Sequence, residues 1–218
     1  MALSVSKNDS IPKGAVRLTE EQAYQYQAGI IRNWDNLSEV FGLRAGAGVL
    51  AGISGISSMV ILNHFRRKLK LGLHGRISSY LPVVAMPSAL AALFHVTFIE
   101  RSIVLRKYDC PICIQSRAAF LQTGIGFIYP FLLAPMASFM FATRHFTVRL
   151  PYITEQPKEW LKLWLKLTRS AKHLAPYIVL ANIIGAVGIT SLEFHEYQKL
   201  QMHFEEHERK VESGYFEK

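Results

Sequence analysis

Cys110 and Cys113 are the residues of this chain whose type and spacing most directly suggest chemistry. The Cys-Pro-Ile-Cys segment could form a short disulfide, a redox couple or half of a zinc site. A structural zinc would need two further ligands, and the eight histidines are scattered, with none next to the cysteines in sequence. We therefore predict a disulfide or a structural thiol pair at Cys110 and Cys113, and no metal site.

A quinone-linked thiol oxidase is the redox alternative for the same two cysteines. Membrane enzymes of that class pass electrons between a CxxC pair and a second cysteine pair. This chain contains two cysteines in all. The count argues against the activity, which we keep as an alternative.

His203 and His207 have the i, i+4 spacing of a zinc-protease helix. That motif requires a glutamate directly after the first histidine, but Phe204 occupies this position. The sequence also contains no glycine-rich phosphate loop and no nucleophile elbow. We predict no catalytic residue and no cofactor, and therefore a protein that is not an enzyme.

The helices that carry these residues are predicted from stretches of the sequence that contain no charged residue. All 25 Lys and Arg and all 16 Asp and Glu lie outside four uncharged windows. Soluble helices place polar residues on their outer face, whereas about 20 apolar residues cross a ~30 Å hydrocarbon layer. We predict an all-α polytopic membrane protein with four transmembrane helices. The windows are residues 45–62, 77–99, 118–142 and 174–192.

Two polar segments flank the predicted transmembrane domain of residues 45–192. Residues 1–44 lack the apolar core of a secretory signal and contain acids as well as bases, so we expect any mitochondrial targeting to be internal. A capping box at Thr19–Gln22 predicts an amphipathic helix over residues 19–41 that packs on its own bundle. Residues 193–218 predict an acidic helical tail, which is either solvated or docked on a partner.

Charge asymmetry between the loops predicts the orientation. Residues 65–76 and 141–173 hold twelve of the 25 bases and two of the 16 acids. The positive-inside rule places these two loops on the matrix or cytoplasmic side and both termini opposite. The cysteines then lie on the outer, more oxidising side, which favours the disulfide. The basic charge is thus a topology signal, and we predict no nucleic-acid binding.

Small residues line the first window. Gly48 and Gly52 form a small-xxx-small pair, and Ala51 and Gly55 form a second. In lipid, such faces let helices approach closely. We assign Gly48, Gly52 and Gly55 to helix packing, either within the bundle or against a transmembrane helix of a partner.

Prolines predict kinked or broken helices, because Pro87 lies inside the second window and Pro130 and Pro135 inside the third. We assign Tyr129 and Pro130 to helix packing. We expect His95, near the end of the second window, to be interfacial or neutral and hydrogen-bonded. Ion-coupled transport generally uses charged residues inside the membrane, and no window contains one. A small transporter remains an alternative.

A basic amphipathic helix is predicted over residues 157–172. At 100° per residue, its bases fall on one arc, opposite a face that contains Trp160 and Trp164. A helix with this pattern lies in a membrane interface beside anionic lipid, and cardiolipin is the ligand that we predict. The bases are Lys158, Lys162, Lys166 and Arg169.

Three short motifs together resemble one known family. Asp109-Cys110-x-x-Cys113-x-x-x-Arg117 is followed by Gly126-x-x-Tyr129-Pro130-x-x-Leu133-Ala134, and Phe65-Arg66-Arg67 follows the first window. These motifs, the order of spans and the loop sizes resemble the transmembrane protein 126 family of mitochondrial inner-membrane proteins. The resemblance covers about residues 43–192.

The resemblance implies an accessory role in the mitochondrial inner membrane. Family members are assembly factors for the membrane arm of respiratory complex I (NADH:ubiquinone oxidoreductase). One branch belongs to an intermediate-assembly complex, and the other is linked to the distal membrane-arm module and to the inner-membrane insertase. The family has no established catalytic residue to transfer. We therefore expect a non-enzymatic scaffold whose partners are complex I membrane-arm subunits, other assembly factors and the insertase.

Overall fold

The fold is all-α, as predicted. We describe it from a computed structural model, which describes residues 18–107, 110–148, 157–171 and 173–216. Residues 1–17 of the predicted N-terminal segment, Asp109 and Lys172 lie outside the described residues, as do the side chains of Trp160, Leu161 and Leu167. Within the described ranges the regular secondary structure is helical, with no strand.

Four helices are long and apolar enough to cross a membrane, which confirms the four predicted spans. The first three contain their uncharged windows and extend beyond them, and the fourth begins one residue after the start of its window and extends past its end. We call them span 1 (Phe41–Lys68), span 2 (Arg76–Val104), span 3 (Pro111–Arg144) and span 4 (Ala175–Glu206). The remaining helices are an N-terminal helix (Glu20–Arg32), a short 3-10 turn (Leu37–Glu39) and a basic helix (Pro157–Ala171).

Span 1 occupies the centre of the bundle and packs against the other three spans, while span 3 also packs along span 4. Phe65 and Leu62 of span 1 are fully buried in one cluster with Val83, Ala134 and Ile178 of the other spans. Large apolar side chains also point outward. That outer surface is typical of a helix bundle in contact with lipid.

The prolines are accommodated by π-helical turns in continuous helices. Such turns cover Leu81–Ala85, just before Pro87, and Gly124–Ile128, just before Pro130. Pro135 lies inside the following α-helical segment of span 3. A third π turn, His95–Glu100, contains no proline. The helices are therefore not broken at the prolines, because the wider turns absorb the missing N–H groups without ending the helix, and the kinks remain a prediction.

Both described flanks pack at one end of the bundle. The capping box at Thr19 is present, but the helix ends at Arg32 and not at residue 41. The segment that follows, Asn33-Trp34-Asp35-Asn36, is rich in residues that favour turns. Trp34 then stacks edge-on against His203 and Phe204. The helix of span 4 continues through residue 193 without a break to Phe216.

Candidate functional site

The two cysteines lie at the start of span 3. Cys110 immediately precedes the helix and is half-buried, and Cys113 lies in the first turn and is exposed. Among the described residues, no group of three or more His, Cys, Asp or Glu side chains could hold a metal ion. The disulfide remains a prediction.

Two glycines that the sequence analysis did not select form the close contact between spans 1 and 4. A Cβ added at Gly42 would lie 3.0 Å from Glu196 Oε2. One added at Gly46 would lie 2.7 Å from both Glu193 Oε1 and Ile189 Cγ2. Gly42-x-x-x-Gly46 is thus the small-xxx-small pair that packs inside the bundle.

The three glycines that the sequence analysis selected divide into two groups. A Cβ added at Gly55 would lie 2.7 Å from Ser88 Oγ, so Gly55 packs tightly against span 2. Gly48 and Gly52 are exposed, and no atom lies within 4 Å of a Cβ added at either position. Packing within the bundle therefore holds for Gly55 and does not hold for Gly48 and Gly52, which face outward.

Tyr129 compensates for a carbonyl that proline leaves without a donor. In the π turn before Pro87, the N–H of Met86 bonds to the carbonyl of Leu81. The same i, i+5 pattern would pair the Pro82 carbonyl with Pro87, which has no N–H. The Tyr129 hydroxyl reaches that carbonyl at 3.5 Å and lies 3.3 Å from Met86 Sδ. Pro130 is buried beside it.

A buried amide network joins spans 1, 3 and 4 deep in the bundle. Asn182 donates to Ser57 Oγ at 2.9 Å, and Gln122 donates to Asn182 Oδ1 at 3.2 Å and to the Leu50 carbonyl at 3.0 Å. Gly126 leaves room for Asn182, whose amide a methyl group there would overlap. Such side-chain hydrogen bonds hold helices together in lipid.

Ionisable side chains are buried within the helices of spans 2 and 4. His95 Nε2 lies 2.8 Å and 3.0 Å from the two carboxylate oxygens of Glu193. His95 is 5% exposed and Glu193 is 0% exposed. The expectation that no charged residue lies inside the spans is therefore wrong. His95 is hydrogen-bonded as expected, and its side chain is buried within the bundle.

Glu196, one turn beyond Glu193, caps the N-terminus of span 1. Its two carboxylate oxygens accept hydrogen bonds from the N–H groups of Gly42 at 2.9 Å and Leu43 at 3.1 Å. Val40 provides no side-chain cap of its own. A carboxylate at a helix N-terminus satisfies free N–H groups and interacts favourably with the helix dipole. The position of Glu193 directly after an uncharged window was the one sequence signal for this cluster.

The N-terminal helix covers the same end of the bundle. The Tyr24 hydroxyl donates to Glu100 Oε1 at 3.3 Å, and Arg101 pairs with Glu21 at 2.7 Å. Burial, together with the neighbouring Glu100 carboxylate, raises the pKa of Tyr24 to about 12. The exposed pair with Lys107 lowers the pKa of Glu20. These contacts dock the helix on span 2 and on the loop that follows it.

The opposite end of the bundle carries the basic loops. Arg66 of the Phe65-Arg66-Arg67 motif is 5% exposed and donates to Ser79 Oγ at 2.7 Å. It also donates to the carbonyls of Gly72 at 2.9 Å and His74 at 3.0 Å. Arg66 therefore organises the loop between spans 1 and 2.

The basic helix is docked beside these loops. Its four selected bases are all exposed: Lys158, Lys162, Lys166 and Arg169. Trp164 is half-buried against a cluster that includes Leu69, Leu71 and Phe139. At least part of the apolar face thus packs on the protein, while the bases remain accessible.

Comparison with known proteins identifies relatives of this chain. Residues 30–207 match the family described as Transmembrane protein 126. A Drosophila melanogaster protein of the same name is 43% identical over 213 residues, which are 97% of this chain and 96% of that protein. No solved structure matches the chain. The match therefore includes both flanks of the bundle, and the chain belongs to the transmembrane protein 126 family.

Proposed function

We propose that this chain is a non-enzymatic assembly factor of the mitochondrial inner membrane that holds unassembled membrane-arm subunits of complex I. Family membership supports the proposal through the accessory role that the resemblance implies. The single structural observation that carries it is the outward position of Gly48 and Gly52. Each leaves a shallow place on span 1 where a helix of another subunit can approach closely.

The rest of the molecule is consistent with a rigid support for this face. Span 1 is held by span 4 through Gly42 and Gly46 and by the amide network around Asn182. A face on a fixed helix presents the same surface to each incoming subunit, which lowers the conformational entropy lost on binding. The exposed bases of the basic helix would add contact with cardiolipin on the matrix side.

The proposal is tested by filling the outward face. A Gly48→Leu/Gly52→Leu double variant should fold, since a Cβ added at either position meets no atom within 4 Å, and should lose co-purification of complex I membrane-arm subunits. Gly188→Leu is the matched control, because Gly188 is exposed on span 4 with no atom within 4 Å of an added Cβ. Equal co-purification by both variants would reject the outward face of span 1 as the docking surface.

Transport is the second candidate. The absence of charged residues from the four windows argued against it, but the buried His95–Glu193 pair supplies ionisable groups inside the bundle. A scaffold and a transporter differ in what their loss changes. Loss of a scaffold should deplete complex I intermediates, whereas loss of a transporter should change the matrix content of a solute while the intermediates still form.

A Cys110→Ser/Cys113→Ser variant tests the thiol oxidase alternative. A thiol oxidase requires both thiols, so this variant would lose its activity.

A further inference from the structure

The buried cluster at His95 differs in kind from the other polar contacts inside the bundle. The network around Gln122 and Asn182 joins three spans with side chains that do not titrate. Hydrogen bonds from amides and hydroxyls are the usual polar contacts between helices in lipid. At one end of the same bundle the chain instead buries an imidazole against a carboxylate, a combination that is costly in a low-dielectric interior.

The geometry of the pair requires a hydrogen at one particular place. His95 Nε2 lies within hydrogen-bond distance of both oxygens of Glu193. An unprotonated nitrogen facing an ionised carboxylate would set lone pairs against each other, so a hydrogen must lie between Nε2 and the carboxyl group. A second proton, on Nδ1 of the ring or on the carboxyl group, then decides whether the pair is neutral or carries one negative charge.

Two further carboxylates lie about one helical turn from the pair. Glu196 follows Glu193 by one turn of span 4, and Glu100 follows His95 by one π turn of span 2. Glu196 accepts hydrogen bonds from the N–H groups of Gly42 and Leu43, and Arg44, in the first turn of span 1, is exposed and donates to the Trp34 carbonyl. Span 3 contributes the apolar Ile114 and Ala118 to the adjoining cluster.

Charges of the N-terminal helix lie farther out, at the surface. Glu21 and Arg101 pair with each other, and Tyr24 contacts Glu100. Glu100 and Tyr24 are both half-buried. The two side chains therefore lie nearer the water than the fully buried pair, at the end of the bundle that the N-terminal helix covers.

We propose that His95, Glu193 and Glu100 form a proton-binding site inside the bundle, whose proton exchanges with water on the side of the N-terminal helix. In the loaded state the His95 ring is an imidazolium beside the Glu193 carboxylate. Release of the proton leaves a neutral ring that still donates from Nε2, and the proton leaves as hydronium by way of Glu100. No electron is transferred and no bond between heavy atoms changes. This site goes beyond the proposed scaffold function.

The test is a titration of the full-length protein in lipid nanodiscs, with the histidine rings labelled with ¹⁵N. His95→Gln assigns the His95 signal among the eight histidines. In the wild type the His95 ring should change from charged to neutral as the pH rises. Glu100→Gln removes the half-buried carboxyl group beside the pair and should displace that titration curve. Glu206→Gln, exposed on the same helix as Glu193, should leave it in place.

Three results would overturn the site. The first is a wild-type His95 ring that keeps one charge state over the whole range while the protein stays folded. The second is a Glu100→Gln titration that coincides with that of Glu206→Gln. The third is a titration that depends on whether sodium or potassium is present, which would indicate a metal cation. The wild-type titration and the Glu100→Gln variant are sufficient for this test. No variant of the fully buried Glu193 is needed.

Discussion

Glu196 caps the N-terminus of span 1 from 154 residues away, with its Oε1 2.9 Å from the N–H of Gly42. The contact joins the first and last spans at the end of the bundle where the described flanks also pack. Local sequence supplies no cap at Val40, and a distant carboxylate takes that role.

Loss of this cap should destabilise the bundle. Glu196→Ala leaves two buried N–H groups of span 1 without their acceptor, which we expect to cost about 1–3 kcal/mol of unfolding free energy. Glu196→Gln retains one acceptor oxygen and should cost less. Reversible unfolding in mixed micelles measures both, with the exposed Glu205→Ala as the control. Equal stability of the Glu196→Ala and Glu205→Ala variants would show that the cap contributes nothing.

Gly46 and Gly48 are two residues apart in sequence but face different sides of span 1. Substitution by alanine should therefore affect the free energy of unfolding differently at the two positions. Gly46→Ala places a methyl group 2.7 Å from both Glu193 and Ile189, and we expect a loss of about 1–3 kcal/mol from overpacking. Gly48→Ala meets no atom within 4 Å and should be neutral or stabilising by up to about 1 kcal/mol, because alanine favours helix. The same unfolding measurement compares them, and a destabilised Gly48→Ala would contradict the assigned rotation of span 1.

The fit of Asn182 against Gly126 can be measured by a double-mutant cycle. Gly126→Ala adds a methyl group that overlaps the Asn182 side chain, so it should destabilise the wild-type background. In an Asn182→Ala background the space is free, and the same substitution should cost at least 1 kcal/mol less, about the size of coupling expected for residues in contact. Additive effects of the two substitutions would rule out the contact.

Docking of the N-terminal helix should weaken at high pH. The pKa of Tyr24 is raised to about 12 in the folded protein and is about 10 in the unfolded chain, so between these values the unfolded state loses its proton first. The stability that Tyr24 provides is therefore complete below about pH 10 and is lost as the pH rises through about 12. Tyr24→Phe should remove this part of the decline. Unfolding curves of the two proteins at successive pH values measure the difference, and parallel declines would disprove the assignment.

The basic helix should bind anionic membranes through its exposed lysines. Lys162→Glu/Lys166→Glu reverses two charges that each contribute about 1 kcal/mol near an anionic surface, so cardiolipin binding should fall by more than tenfold. Sedimentation of the purified protein with cardiolipin-containing liposomes measures it, and liposomes of neutral lipid give the baseline. A control with Lys199→Glu/Lys210→Glu makes the same charge change at exposed positions of the span 4 helix. Unchanged sedimentation of the Lys162 and Lys166 variant would reject the lipid contact.

The four spans could be predicted from the sequence because the absence of charge over about 20 residues is a local property. Rotation of a helix is not local, and this is why Gly48 and Gly52 were selected while Gly42 and Gly46 form the contact with span 4. The charge rule also ended the fourth window at Leu192, one residue before Glu193. Its partner His95 lies 98 residues away, and only the packed bundle brings the two side chains together.

The measurement that tests the central claim most directly is native-gel profiling of respiratory complexes from mitochondria that lack this protein. Loss of a scaffold for the membrane arm should deplete mature complex I and accumulate membrane-arm fragments, while complexes III and IV assemble normally. Re-expression of the wild-type chain should restore complex I, and the Gly48→Leu/Gly52→Leu chain should fail to restore it. Normal complex I in the absence of the protein would contradict the account.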